Sequence, residues 1–331
     1  MAQSFSWSDV ASSSAQQAAV AGAEAEFERL REALVRTQAD PFRTRLSLAL
    51  AEHDFLIAKA DLRQVRNETL FEIANAYTRL LTAQRNLEAS AQRLDLSERL
   101  YSVAEIRARN GSATDLEVRE AQTGLEVARR EQQRARDELE LSLTGVATLN
   151  ENFAGSAEGL PAAFYDAALP PEASVLASAE EHPELVRARQ ERSLAEVELT
   201  ALDPSYTAPV DIEAANARLV AARERERAAE RRISLQARDL LADARAAKSE
   251  CEAARVVRRD ALERVTLERR RYDSGLLSDI DLLEAEILAR EAELSSLRTC
   301  DLFFLSLMEL QAGSGADAGL GANREDAERD R

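Results

Sequence analysis

Arg107-Ala-Arg-Asn-Gly-Ser-Ala-Thr-Asp-Leu-Glu117 and Arg271-Tyr-Asp-Ser-Gly-Leu-Leu-Ser-Asp-Ile-Asp281 read as two versions of one turn. In each, a helical run stops at a glycine, the residue that accepts the left-handed geometry ending a helix. The text then resumes in parallel, Asp115-Leu-Glu-Val-Arg-Glu-Ala121 against Asp279-Ile-Asp-Leu-Leu-Glu-Ala285. Gly111 and Gly275 stand 164 positions apart. A second pair of marks, Asp40-Pro41 and Asp203-Pro204, is 163 apart. Proline disfavours helix in the residue before it, so these marks also separate helices. Matched spacing and matched text together identify an internal repeat of about 164 residues.

Between the marks the periodicity is helical. Ile73, Leu80, Leu87, Leu94 and Tyr101 recur every seven residues, with Leu70, Tyr77 and Ala91 on companion positions. That is a coiled-coil seam. The second half is richer in alanine (Leu240, Ala247, Ala254, Ala261), which implies close helix approach, and the stripe resumes as Ile280, Leu283, Ile287, Leu294, Leu297 and Phe304. Helices are expected at 9–39, 42–109 and 113–150, then at 174–202, 211–273 and 277–312. In each half two short helices laid end to end match one long helix in length. The expected fold is therefore all-α, a duplicated antiparallel coiled-coil rod. Its parts are a first helical repeat, 1–150; a linker, 151–172, carrying Gly155, Gly159, Pro161, Pro170 and Pro171; a second repeat, 173–312; and a glycine-rich, then charged tail, 313–331, expected to be disordered.

Composition agrees with long helices. Apolar residues make up 45% of the 331 but aromatics only 5%, and glycine and proline number 11 and 7, too few for a many-stranded sandwich or barrel. The net charge of −17 argues against nucleic acid as a partner. Arg223-Glu-Arg-Glu-Arg227 looks basic, but its interleaved glutamates make it an ion-paired, solvated helix face. No window approaches a membrane-spanning helix, and Met-Ala-Gln-Ser-Phe-Ser-Trp lacks the features of a signal peptide. Read literally that is a cytoplasmic protein; a mature exported protein is equally compatible.

The repeat layout resembles the TolC-type outer-membrane efflux family over about residues 5–312. The stretches that carry the resemblance are Ala76-Tyr-Thr-Arg-Leu-Leu81, the two glycine turns and His182-Pro-Glu-Leu-Val-Arg-Ala188. It implies a homotrimer closing a periplasmic helical tunnel, and a periplasmic adaptor (membrane fusion protein) that docks on the turns at Asn110, Gly111 and Ser112 and at Ser274, Gly275 and Leu276. It also implies acidic rings at a tunnel constriction from Asp281 and Glu284, with Glu117 and Glu120 at the matching places. Simple helix-hairpin turns and N-terminal acids favoured by the macrodipole are the alternative for the same residues. One departure is large. The family carries a β-hairpin after each Asp-Pro position, and a hairpin of membrane strands needs about 20 residues. Only Ser-Tyr-Thr-Ala-Pro-Val-Asp211 separates Pro204 from the next helical stretch, so no barrel and no direct membrane span is expected.

No enzyme machinery is visible. His53 and His182 have no Cys or second His at ligand spacing, and no phosphate loop or nucleophile elbow appears, so neither a metal nor a cofactor is expected. Cys251 and Cys300 stand almost symmetrically before and after Gly275, at the same height in an antiparallel hairpin. Cys300 sits one position off its apolar stripe, so two buried thiols acting as small hydrophobes are preferred to a disulfide. Three functions fit: a tunnel component of a transport assembly, a structural coiled-coil spacer of the envelope or cytoplasm, and a channel protein whose hairpins were deleted by design.

Overall fold

The computed structural model describes residues 14–40, 44–149, 159–160, 162–203 and 205–314. Among these, 89% are helical and no strand occurs. The helices are α1 (Ser14–Ala39), α2 (Arg45–Arg109), α3 (Asp115–Leu149), α4 (Ala162–Tyr165), α5 (Glu172–Ala179), α6 (Pro183–Ala201), α7 (Pro209–Asp273) and α8 (Asp279–Gly313). The duplication is visible in their bounds. Arg45 and Pro209, Arg109 and Asp273, Asp115 and Asp279, and Leu149 and Gly313 are each 164 positions apart.

The chain forms two compact units. One comprises 1–72, 168–244 and 306–331, the other 73–167 and 245–305. The first holds Asp40 and Asp203 of the Asp-Pro marks, and the second both glycine turns.

In the first unit, Phe27 on α1 stacks near Phe55 on α2, with ring centroids 5.4 Å apart, and Arg66 on α2 reaches Glu24 on α1 at 2.7 Å. Arg187 on α6 pairs with Asp61 on α2. On α6 and α7, Arg192 meets Glu226 at 2.6 Å and Glu196 meets Arg223 at 3.1 Å. Between α1 and α2, and between α6 and α7, the numbers rise on one helix as they fall on the other, so these neighbours are antiparallel. The buried line on α7 runs through Ile233, Ala237, Leu241 and Ala244, packed with Val175 and Ala179 of α5 and Leu310 of α8. The expected seam at Leu240 is thus shifted by one position, and Leu240 is only half-buried beside it. The arginine run is ion-paired, as read: Arg225 lies 3.5 Å from Glu191 and Arg227 2.7 Å from Glu224.

The helix expected at 174–202 is two helices. Pro183 has no N–H to continue the ladder and holds the residue before it out of helical geometry. His182 is accordingly extended (φ −60°, ψ 133°), and its Nδ1 accepts from the Glu184 N–H at 3.3 Å, capping α6. The expected linker also contains a helical turn, α4, and α5 opens at its last residue, Glu172. Residues 1–13, 150–158 and 315–331, which hold the start of the first expected helix, part of the linker and most of the tail, lie outside the described residues.

In the second unit the contacts run in series from α3 to α2, α2 to α8 and α8 to α7. Arg93 of α2 reaches Glu131 of α3 at 3.8 Å and Glu291 of α8 at 2.8 Å. Arg99 meets Asp279 at 3.2 Å, and Arg290 meets Glu88 at 2.5 Å. Ile73 and Leu80 fill the α2 seam at 2% and 0% exposure, each contributing about 1.5–3 kcal/mol by burial. Cys251 of α7 and Cys300 of α8 are bonded, with Cα atoms 4.7 Å apart, which corrects the reading of two free thiols. Equal height in the hairpin brings the two together, and the register offset of Cys300 does not turn it away.

Candidate functional site

The two glycine turns share the same pattern of backbone hydrogen bonds. Gly111 and Gly275 have φ of 71° and 73°. The Gly111 N–H donates to Ala108 O (2.9 Å) and the Ser112 N–H to Arg107 O (2.8 Å); Gly275 donates to Tyr272 O (2.8 Å) and Leu276 to Arg271 O (2.9 Å). Both are Schellman closures, which satisfy carbonyls that a helix end otherwise leaves open. Asn110, Gly111, Ser112, Ser274, Gly275 and Leu276 are all exposed, and Leu276, an apolar side chain, is 74% exposed.

The next helix then starts on a capping box in each repeat. Thr114 N–H donates to Glu117 Oε2 (2.6 Å) and Glu117 N–H to Thr114 Oγ1 (3.3 Å). Ser278 N–H donates to Asp281 Oδ2 (3.3 Å) and Asp281 N–H to Ser278 Oγ (3.2 Å). Hydrogen bonds from Thr114 hold the Glu117 carboxyl below its ordinary value. Glu117 and Asp281 thus have a local structural task at the helix N-termini, the kind of role the macrodipole alternative gives them, carried here by hydrogen bonds. Glu120 and Glu284 are exposed one turn further along. Asp281 and Glu284 line an open groove of about 810 Å³ between α7 and α8, facing Asp260, Arg264, Glu268 and Arg271.

A buried ionic cluster was not anticipated from the sequence. Asp301 on α8 is 3% exposed, accepts from Arg85 of α2 at 2.5 Å and from the Tyr165 hydroxyl of α4 at 2.6 Å. Burial raises the Asp301 carboxyl above its ordinary value, against the opposing pull of Tyr165 and Arg85. The available signal was an acid inside an apolar run, Cys300-Asp-Leu-Phe-Phe-Leu305. Among the described residues no group of three or more His, Cys, Asp or Glu is arranged to hold a metal, and no helix is long and apolar enough to cross a membrane.

Residues 39–149, which span α2, the first glycine turn and α3, match the family described as outer membrane efflux protein. Among solved structures the chain is similar to the outer-membrane channel OprN, at 15% identity and a TM-score of 0.63, covering 91% of this chain and 88% of that one. It is similar to CusC at 15% identity and a TM-score of 0.63, covering 94% and 98%. The Campylobacter jejuni CmeC outer membrane channel matches at 13% identity and a TM-score of 0.59, covering 94% and 85%. No curated protein matched the chain. The fold is that of the TolC-type channels over nearly the whole chain, and the family model itself reaches the first repeat.

Proposed function

We propose that this chain, which has the fold of outer-membrane efflux channels, is a non-enzymatic transport-assembly component of the cell envelope. Three copies close into a helical periplasmic tunnel, and the glycine turns receive an adaptor. The observation that carries this reading is the pair of turns: same backbone hydrogen bonds, same capping boxes, all six tip residues exposed. A hinge that only reverses the chain has no need to present an apolar Leu276 to solvent.

Closure by three copies is supported by the ends of the helix series in the second unit. On α3 the buried residues Leu125, Ala128, Ala135 and Val146 form one stripe, while Leu116, Val127 and Leu141 are exposed. On α7, Val256, Val257 and Leu267 are exposed. Exposed apolar side chains on two different helices at the two ends of one series suit a head-to-tail contact between copies, which closes into a ring. Exposed Glu120 and Glu284 are then the acids free to line a constriction, since Glu117 and Asp281 are engaged as caps.

This chain supplies no membrane barrel in this reading. The connection from α1 to α2 is residues 40–44 and that from α6 to α7 is residues 202–208. Both are far shorter than the roughly 20 residues of a membrane hairpin. The test is adaptor binding. Leu276→Glu alters an exposed side chain, so helix content stays the same while affinity for a membrane fusion protein falls at least tenfold. Undiminished affinity means that the turns are only turns.

A further inference from the structure

The inter-repeat segment 164–167 is held at one level of the second unit by contacts that surround the disulfide. On α7, Lys248 Nζ donates to the Ala167 carbonyl (3.1 Å) and Arg255 pairs with Asp166 (2.6 Å). Lys248, Cys251 and Arg255 are spaced i, i+3 and i+7, so they share one face of the helix. On α8, Asp301 accepts from Tyr165 (2.6 Å), and Phe304 meets Phe164 edge-on at 5.2 Å. These residues are one and four positions after Cys300. Segment 164–167 thus crosses the α7–α8 seam where the disulfide ties it. Cys251 and Cys300 are 1% and 2% exposed.

We propose that the Cys251–Cys300 disulfide and segment 164–167 form a redox latch, in which the bond fixes the platform the segment docks on and the docked segment shields the bond. A thiolate must reach a sulfur in line to begin exchange, and at this burial it cannot do so until the segment lifts. Once it does, a dithiol reductant forms a mixed disulfide and then leaves as its own cyclic disulfide. Two electrons and two protons pass to Cys251 and Cys300. The tie between α7 and α8 is then gone, and Lys248 and Arg255 on one helix are no longer held in register with Asp301 and Phe304 on the other. Coupling between two equilibria is reciprocal, so whatever weakens docking must also ease reduction.

The test uses the full oxidised chain with dithiothreitol as the reductant and alkylation followed by mass spectrometry as the readout. Tyr165→Phe and Asp166→Ala each remove one docking contact without touching the cysteines. Tyr165→Phe is expected to speed reduction at least tenfold and Asp166→Ala, which breaks an exposed pair, about two- to fivefold; reduction of the wild type is expected to raise amide hydrogen exchange across 164–167 at least tenfold. Gly111→Ala, which strains a turn elsewhere in the same unit, is expected to change the reduction rate less than twofold. Wild-type reduction rates in both docking variants overturn the latch, as does equal acceleration in Gly111→Ala. Unchanged exchange after reduction, or two free thiols that oxidised glutathione cannot join, overturns it as well.

Discussion

Glu117 and Asp281, at matching places in the two repeats, perform the same act: each carboxylate accepts the backbone N–H of the hydroxyl residue three positions earlier. Replacing Glu117 or Asp281 by alanine is therefore expected to fray the first turn of α3 or α8, as amide hydrogen exchange at residues 115–118 or 279–282 would register. Glu120→Gln and Glu284→Gln are expected to leave that exchange unchanged. In the purified tunnel assembly the last two substitutions, not the first two, should lower the preference for bound cations over anions, as ion-binding calorimetry would register. A preference unaltered by Glu284→Gln and Glu120→Gln together removes the acidic constriction from the proposal.

The glycine turns make a sharp conformational prediction. A Cβ built on Gly111 or Gly275 meets no atom within 4 Å, so only the positive φ opposes a larger residue. Alanine at either position is expected to cost about 1–2 kcal/mol in denaturant unfolding, and asparagine less, because its short polar side chain tolerates the left-handed region. Equal costs for alanine and asparagine would contradict the conformational origin.

His182 gives a pH signature. Burial, then the charges of Arg232 and Arg187, lower its pKa below the ordinary 6.5. The unfolded chain thus takes up a proton before the folded one does, and stability rises with pH through that interval. The contribution is present above 6.5 and is lost as pH falls through the depressed folded value, where a protonated Nδ1 can no longer accept from Glu184. His182→Asn keeps a cap that does not titrate. Between pH 5 and 7 its melting temperature is expected to lose the part of the wild-type slope due to His182; parallel slopes would show that the ring does not titrate on unfolding.

The buried pair of Arg85 and Asp301, 12% and 4% exposed at their side chains, should behave as a unit. Removing Arg85 alone strands a carboxylate that burial already disfavours, and Arg85→Met is expected to cost about 3 kcal/mol or more. Adding Asp301→Leu should recover most of that loss, since the burial penalty on the acid disappears with it. A double variant no more stable than Arg85→Met alone would mean that the ion pair is net stabilising.

Much of this molecule was legible in its sequence because helices announce themselves by period and by their stops. Gly111 and Gly275 located both hairpins, and the offset between them reappears in the helix bounds. What escaped depended on contacts between distant segments. The break at His182-Pro183 was a local signal passed over, since proline in a helical pattern marks a probable boundary. The joining of Cys251 to Cys300 depended on rotation about the helix axes, which height alone does not set. The tie from Tyr165 to Asp301 joins segments far apart in the chain, and no periodicity encodes it.

The most direct measurement of the central claim is the native mass of the purified full chain by sedimentation equilibrium. One chain has a mass of 36.5 kDa, and a closed helical tunnel is expected to sediment at three times that value. A species at one or two chain masses at all protein concentrations would contradict the tunnel and favour a coiled-coil spacer.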